Sequence, residues 1–189
     1  MNANMIKSMD LYQPVSFCGI KLKRNVKRRN MFAIFYTFFL VMVASGYLNV
    51  QIVYLLRDEH YFGLTPERQG RIISDVLITA LIASALWTII AGYLYDILGR
   101  RAPIFTSGIL MALFIVLCPY TAPNVLYLKI VRALFAMAGS QISCHPLILD
   151  YIKKESRGKA AALQGLGSLL GEAFAMVVLF GYSKREGVS

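Results

Sequence analysis

Charge is scarce in this sequence, and acidic side chains are the scarcest charged groups. Charged residues make up 16% of the 189 residues, whereas a soluble domain carries about 25%. Asp and Glu together number ten, against twenty Lys and Arg. Hydrophobic residues reach 57%, and the mean hydropathy is +0.57. This composition excludes most soluble enzymes and favours a membrane protein.

Residues that bind metals or attack substrates are also few. The three cysteines, Cys18, Cys118 and Cys144, are far apart, so we expect free thiols, two of them in apolar segments. His145 follows Cys144, but no second His or Cys stands at a metal-ligand spacing, so we predict no metal site. Paired carboxylates and an activated nucleophile are missing as well, so we predict neither an enzymatic activity nor a cofactor.

Five long apolar runs dominate what is present. Each holds roughly 20 predominantly apolar residues, which is enough for a helix to cross the hydrocarbon core of a bilayer. The connections are short, so consecutive spans should be antiparallel neighbours. We therefore predict an all-α membrane protein, a bundle of about five transmembrane helices. The predicted segments are a basic tail at 1–30, a transmembrane domain at 31–183 with spans at 31–56, 72–95, 104–120, 126–149 and 160–182, and a short tail at 184–189.

The basic residues are unevenly placed around these runs. The positive-inside rule puts the N-terminus in the cytosol and, after five spans, the C-terminus on the opposite side. It also accounts for the net charge of +10 without nucleic acid. We predict a tail that is disordered or lies on the anionic inner leaflet, with Lys21–Arg29 as the attracting cluster. The basic residues of the tail are Lys7, Lys21, Lys23, Arg24, Lys27, Arg28 and Arg29.

The connection between the second and third predicted spans is the most distinctive segment, Gly-Tyr-Leu-Tyr-Asp-Ile-Leu-Gly-Arg-Arg at 92–101. Gly92 would let another helix approach closely, and Gly99 permits the positive φ that a tight turn needs. Asp96, at a helix end, can accept hydrogen bonds from a nearby Arg or from another helix N-terminus. Alternatively, the charges here only fix topology and solubilise a turn.

This connection resembles the signature loop between the second and third helices of the major facilitator superfamily. Ile97 and Tyr95 depart from the pattern, which has a basic and a small residue there. The matching residues are Gly92, Leu94, Asp96, Gly99, Arg100 and Arg101. Two further segments resemble the family. In the fourth span, Arg132 is followed by Gly139, with Phe135 and Ala136 in place of the family's Gln-Gly. In the loop before the fifth span, the matching residues are Asp150, Arg157 and Gly158.

The resemblance implies secondary active or facilitative transport of a small solute by alternating access. In the family, about twelve helices form two halves, and the loop Asp helps to latch them in the outward-open state. This chain would supply only the first five helices, so a C-terminal half or a partner chain would be required. The antiporter motif is not matched by Ser168 and Glu172, which favours a uniporter or symporter. The alternative is a non-transporting membrane protein, either a truncated remnant or an interaction subunit.

Three charged residues within the apolar runs are candidates for coupling transport to an ion, with the proton as the first possibility. Such a charge costs about 2.5–3.5 kcal/mol at the centre of a membrane helix, so it usually faces a cavity or a partner. The resemblance associates Arg132 with proton coupling or substrate contact, although snorkelling to the outer interface would also satisfy it. Glu172 could instead form an ion pair inside the bundle, with Arg132 as a possible partner. Asp75 is better explained as a solvated helix end.

Uncharged polar residues could line a solute cavity. Their alternative role is hydrogen bonding between helices, and they do not identify the solute. Gly167 and Gly171 in the fifth span have the spacing that permits close helix packing. The cavity candidates are Tyr47, Asn49, Gln51, Gln141 and Gln164.

Overall fold

The computed structural model describes residues 16–17, 19–23, 26–99, 101–143 and 151–179. Within these ranges, five helical segments are long and apolar enough to cross a membrane. The predicted all-α fold class and the five spans are therefore confirmed. The helices are α1 (Arg28–Arg57), α2 (Pro66–Leu98), α3 (Arg101–Leu117), α4 (Val125–Ser143) and α5 (Arg157–Phe174).

The helix ends differ from the predicted span ends mainly where the chain is polar. α2 begins at Pro66 rather than at residue 72, because Pro fits the first turn, where its missing N–H has no helical partner. Glu67 in the same turn complements the positive end of the helix. Hydropathy could not detect this turn because its side chains are charged. The predicted ends at 149 and 182 lie outside the described residues.

Short turns of other helical types extend two of the spans. α3 continues as a 3₁₀ turn at Cys118–Thr121, and a 3₁₀ turn at Lys154–Ser156 precedes α5. A π-helical turn at Ala175–Leu179 follows α5. The chain divides into two compact units, one formed by Met1–Tyr36 and His145–Gly167, the other by Thr37–Cys144 and Ser168–Ser189.

In the first unit, part of the basic tail is ordered. β1 (Ser16–Phe17) pairs antiparallel with β2 (Ile20–Lys21), and Leu22 forms a β-bridge with Ile152. That the tail lies on the anionic inner leaflet stays a prediction, whereas disorder is wrong for residues 19–23. The reason is an alternation that the charges obscured: Ile20 and Leu22 are 1% and 2% exposed, while the lysines between and after them face outward.

In the second unit, α4 packs against both α2 and α3, and α1 contributes to the same core. Cys118 is a buried free thiol, as expected, whereas Cys18 and Cys144 lie outside the described residues. The core consists of apolar side chains from four helices and the turn after α3, including Leu48, Ile52, Leu56, Val76, Met111, Cys118, Leu128, Phe135 and Ala138.

Glycines allow α5 to approach α1 at van der Waals distance, as the small-residue spacing predicts. A Cβ at Gly171 would clash with the carbonyl oxygen of Phe39. A Cβ at Gly46 would lie 2.9 Å from the Cβ of Ala175, and one at Gly167 would lie 2.9 Å from the ring of Phe35. At these glycines, the backbones of α1 and α5 are closer together than a residue with a side chain would permit.

Candidate functional site

The hairpin between α2 and α3 is a tight turn around one glycine. α2 ends at Leu98, Gly99 has φ 71°, and α3 begins at Arg101. A residue with a Cβ is strained in this left-handed region, so the turn depends on glycine. Leu94 is half-buried, whereas Asp96 and Arg101 are exposed. Arg100 lies outside the described residues.

One face of α2 beside this turn is uncovered. Gly92 and Asp96 are four residues apart and therefore neighbours on one side of the helix. A Cβ at Gly92 would meet nothing within 4 Å, so the close approach predicted there is not made by this chain's described residues. Asp96 likewise accepts no hydrogen bond from any residue that the structure describes. We call this surface, Gly92 and Asp96, the open face of the hairpin.

The opposite side of the hairpin is held by a buried polar network that joins three helices. The Tyr95 hydroxyl donates to the backbone carbonyl of Gln141. Ser107 Oγ donates to Gln141 Oε1 at 2.8 Å. Tyr95, Ser107 and Gln141 are 5%, 0% and 7% exposed, respectively. Because buried polar groups must be paired, this network fixes α2, α3 and α4 at one place.

This network changes the interpretation of two residues. Gln141, a predicted cavity residue, forms hydrogen bonds within the bundle, which is the alternative that the sequence left open. Tyr95 departs from the family pattern, and because a buried phenol requires a hydrogen-bond partner, it forms an interhelical contact.

Arg132 is buried in α4 against α1. Its Nη2 donates to Asn49 Oδ1 at 2.9 Å, and its guanidinium carbon lies 5.3 Å from the centre of the Phe135 ring. With 7% exposure, Arg132 does not snorkel to the interface. The structure shows no ion pair between Arg132 and Glu172; the hydrogen-bond acceptor of Arg132 is Asn49 on α1.

Two polar atoms around Arg132 and in the neighbouring turn of α1 remain unpaired. Arg132 Nε and Gln51 Oε1 are buried without a hydrogen-bond partner among the described residues. Burying such an atom unpaired costs about 1–3 kcal/mol. Each atom can therefore donate to or accept from a bound solute. We call the hydrogen-bonded residues Asn49 and Arg132 the polar cluster; Gln51 is two residues from Asn49 on α1 and therefore faces another side of that helix.

Asp75 forms an ion pair between α2 and α4. Its Oδ2 lies 3.3 Å from Lys129 Nζ, and the two side chains are 52% and 28% exposed. Exposed pairs of this kind contribute little, about 0–1 kcal/mol. Lys129 stands one turn before Arg132 on α4, so the pair lies next to the polar cluster in sequence. The structure gives Asp75 a partner but no buried position.

The remaining candidates are not brought together. Glu172 is exposed on α5, with no hydrogen bond or ion pair to a described residue. Tyr47 is half-buried in the second unit, whereas Gln164 belongs to the first unit, where its Oε1 is buried without a described partner.

The described residues of the loop before α5 form no compact site. Arg157 begins the helix, and its Nε is buried without a partner in the described part of the chain. Gly158 is exposed with nothing within 4 Å of a Cβ position. Asp150 lies outside the described residues. Among the residues described, no group of three His, Cys, Asp or Glu could hold a metal ion.

Residues 30–182 match the Major Facilitator Superfamily. The chain belongs to this superfamily. It is also 33% identical over 120 residues to solute carrier family 2, facilitated glucose transporter member 10, of Danio rerio. That stretch is 62% of this chain but only 22% of the relative. No solved structure matches the chain.

Membership confirms the family resemblance that the sequence indicated and, with it, a multi-pass membrane protein. The five spans agree with this class. The hairpin at 92–101 and Arg132 fall within the matched region, as do the glycines at the contact between α1 and α5.

Proposed function

We propose that this chain is the N-terminal portion of a transporter that moves a small polar solute by alternating access, and that a hexose is the first solute to test. The open face of the hairpin carries the proposal. A backbone without a Cβ and an exposed carboxylate lie on the same face of α2, while Tyr95 on another side is locked to α4. This arrangement suits a rigid hairpin whose open face is covered in one state and released in another.

The latch role follows from the chemistry of Asp96. A carboxylate at the end of α2 can accept charge-assisted hydrogen bonds from an Arg or from the N-terminus of a helix. Gly92, one turn away, leaves room for that helix to approach. A C-terminal half or a partner chain would supply it. We place the N-terminus in the cytosol, on the evidence of the basic residues that flank α1 and α5.

The polar cluster is the proposed solute contact. A sugar presents hydroxyl groups that both donate and accept hydrogen bonds. The cluster offers an unpaired donor at Arg132 Nε, and Gln51, on another face of α1, has an unpaired acceptor. The similarity to a protein named as a facilitated glucose transporter supports the same class of solute. Phe135, under the guanidinium group, keeps Arg132 in position.

Facilitative transport is the simpler form of the proposal, and proton symport is the other. Glu172 is the coupling candidate in the second form, because an exposed carboxylate within a span is costly unless it is protonated or paired. Reconstituted transporter should show pH-dependent uptake that is lost in Glu172→Gln. Uptake in Glu172→Gln with an unchanged pH dependence would eliminate coupling through this residue.

The decisive experiment is uptake of labelled D-glucose into proteoliposomes that contain the complete product of this gene, with L-glucose as the matched control solute. Asp96→Asn should slow D-glucose uptake at least about five-fold, the lower end of conformational coupling energies. Asp58→Asn, an exposed acid after α1, should leave it unchanged. Equal uptake of both isomers would reject the hexose assignment.

The second candidate function is a non-transporting interaction subunit. The uncovered apolar surface of α2 favours it, since Leu81, Leu86 and Ile89 are 68%, 62% and 76% exposed. Lipid covers such a surface equally well, so transport remains the preferred function. Failure of the complete gene product to take up any of a panel of sugars, polyols and organic acids would favour the subunit.

A further inference from the structure

The first unit joins two basic segments that are far apart in the sequence. One segment precedes α1 and includes its first turn, and the other precedes α5 and includes its first turn. Nine Lys and Arg and a single acid, Glu155, are described in this unit, which gives a net charge of +8. The basic residues are Lys21, Lys23, Lys27, Arg28, Arg29, Lys153, Lys154, Arg157 and Lys159.

Backbone hydrogen bonds hold the two segments together in a defined geometry. Lys23 N donates to Tyr151 O at 2.9 Å, and Lys153 N donates to Lys21 O at 3.1 Å. Lys21 N also donates to Ser156 Oγ at 3.1 Å. We call residues 20–23 and 151–156 together the clasp.

The clasp has an apolar underside and a basic outer surface. Ile20, Leu22 and Ile152 are 1%, 2% and 0% exposed. Lys23, Lys153 and Lys154 are exposed and directly follow these buried residues in the sequence. Burial of the apolar residues therefore fixes the positions of the lysines. A loose tail would satisfy the positive-inside rule with the same charges, but it would not hold them in one place.

The single described acid does little to reduce this positive potential. Glu155 Oε2 lies 3.0 Å from Lys21 Nζ, so it offsets one of the nine positive charges described in the unit. Both α1 and α5 begin in this unit, and neither has an acidic residue in its first turn. Their N-terminal ends therefore add to the attraction for anions.

We propose that the clasp is a binding site for the headgroups of anionic phospholipids in the leaflet where α1 and α5 begin. Its basic residues directly precede two membrane spans, so lipid phosphates lie at the same level as the lysines. Clusters of four to eight Lys or Arg beside a span are typical of such recognition. A soluble acidic protein is not already located at the level of these lysines, as the lipid headgroups are. The proposal is independent of transport and of the solute.

Native mass spectrometry of the protein released from nanodiscs tests the site. The nanodiscs contain phosphatidylcholine with a minor fraction of phosphatidylserine or of phosphatidylinositol 4,5-bisphosphate. The charge variant is Lys153→Gln/Lys154→Gln/Lys159→Gln. Its matched control is Arg57→Gln/Arg68→Gln/Arg71→Gln, which removes three exposed charges around the connection between α1 and α2. The charge variant should lose retained anionic lipid at least about ten-fold, and the control should keep it.

A second variant separates the folded site from the total charge. Leu22→Ala/Ile152→Ala keeps every charge but removes the buried side chains of the clasp, and circular dichroism checks that the spans remain helical. We expect this variant to lose anionic lipid as well. Retention at the level of the unmodified protein would overturn the proposal, as would equal losses in the charge variant and its control.

Competition distinguishes the lipid from other anions. Inorganic phosphate or a polyglutamate peptide is added to the nanodiscs before release. Little displacement of the bound lipid is expected, because the headgroup is held next to the two spans. Complete displacement by inorganic phosphate would assign the site to a free phosphate, and complete displacement by polyglutamate would assign it to an acidic protein. Either result would overturn the lipid assignment.

Discussion

The contact between α1 and α5 can be tested with a single methyl group. Gly171 and Gly165 lie on the same helix, but a Cβ at Gly171 would clash with the Phe39 carbonyl oxygen and lie 2.9 Å from Met42 Cβ. A Cβ at Gly165 would meet nothing within 4 Å. Gly171→Ala should therefore destabilise the fold, whereas Gly165→Ala should be neutral or stabilising.

The magnitude follows from two opposing effects. Replacing a helical glycine by alanine gains about 0.5–1 kcal/mol at both positions, because the backbone loses less entropy on folding. Inserting a methyl group into a packed contact costs about 1–3 kcal/mol. The helix effect cancels between the two variants, so Gly171→Ala should be about 1–3 kcal/mol less stable than Gly165→Ala. Gly167→Ala should fall between them, because its neighbour is the mobile ring end of Phe35.

Unfolding by SDS in mixed micelles measures this difference. The protein has one tryptophan, Trp87 on α2, so its fluorescence reports the loss of packing without an added label. The SDS fraction at which half of the protein is unfolded should fall for Gly171→Ala, and it should stay the same or rise for Gly165→Ala. Equal midpoints for the two variants would refute the close α1–α5 contact.

Three further variants test the buried polar groups. Tyr95→Phe leaves a buried carbonyl without its donor and should cost about 1 kcal/mol in the same unfolding assay, whereas Tyr93→Phe, at a 68% exposed position, should cost nothing. Arg132→Met should lower the free energy of unfolding by about 1–3 kcal/mol, because its hydrogen bond is lost. The control Lys129→Met breaks only an exposed pair and should lower it by less than about 1 kcal/mol. Equal losses would contradict a buried role for Arg132. Ser156→Ala removes the acceptor of a clasp amide and should speed hydrogen exchange there but not in α4; unchanged exchange would mean that the clasp does not depend on this bond.

Hydropathy and charge were sufficient to predict the five spans, because roughly 20 apolar residues in succession have few alternatives to a membrane helix. The same signal failed at the start of α2, where Pro66 and Glu67 begin the helix with an exposed, polar first turn. It also failed in the tail, where Ile20 and Leu22 alternate with lysines over too few residues to stand out. Local periodicity is informative only when the element is long.

Side-chain partners were harder to predict than elements. Arg132, Asn49 and Gln141 could each be named as unusual polar residues in apolar spans, but the sequence could not pair them. Arg132 bonds Asn49 across 83 positions, and Ser107 bonds Gln141 across 34. These pairs depend on the rotation of each helix about its axis. That rotation is set by packing in the whole bundle, including the glycine contacts between α1 and α5.

The buried and the exposed polar groups of the spans have different consequences. Arg132 and Gln141 are paired inside the second unit, so they stabilise the bundle whatever surrounds it. Glu172 is exposed on a span, and a charge facing lipid at mid-depth costs about 2.5–3.5 kcal/mol. A second half that offered a donor or a water-filled cavity to Glu172 would remove this cost, and one that did so in only one conformation would couple the carboxylate to transport. Coupling by this route therefore requires the environment of Glu172 to change between states.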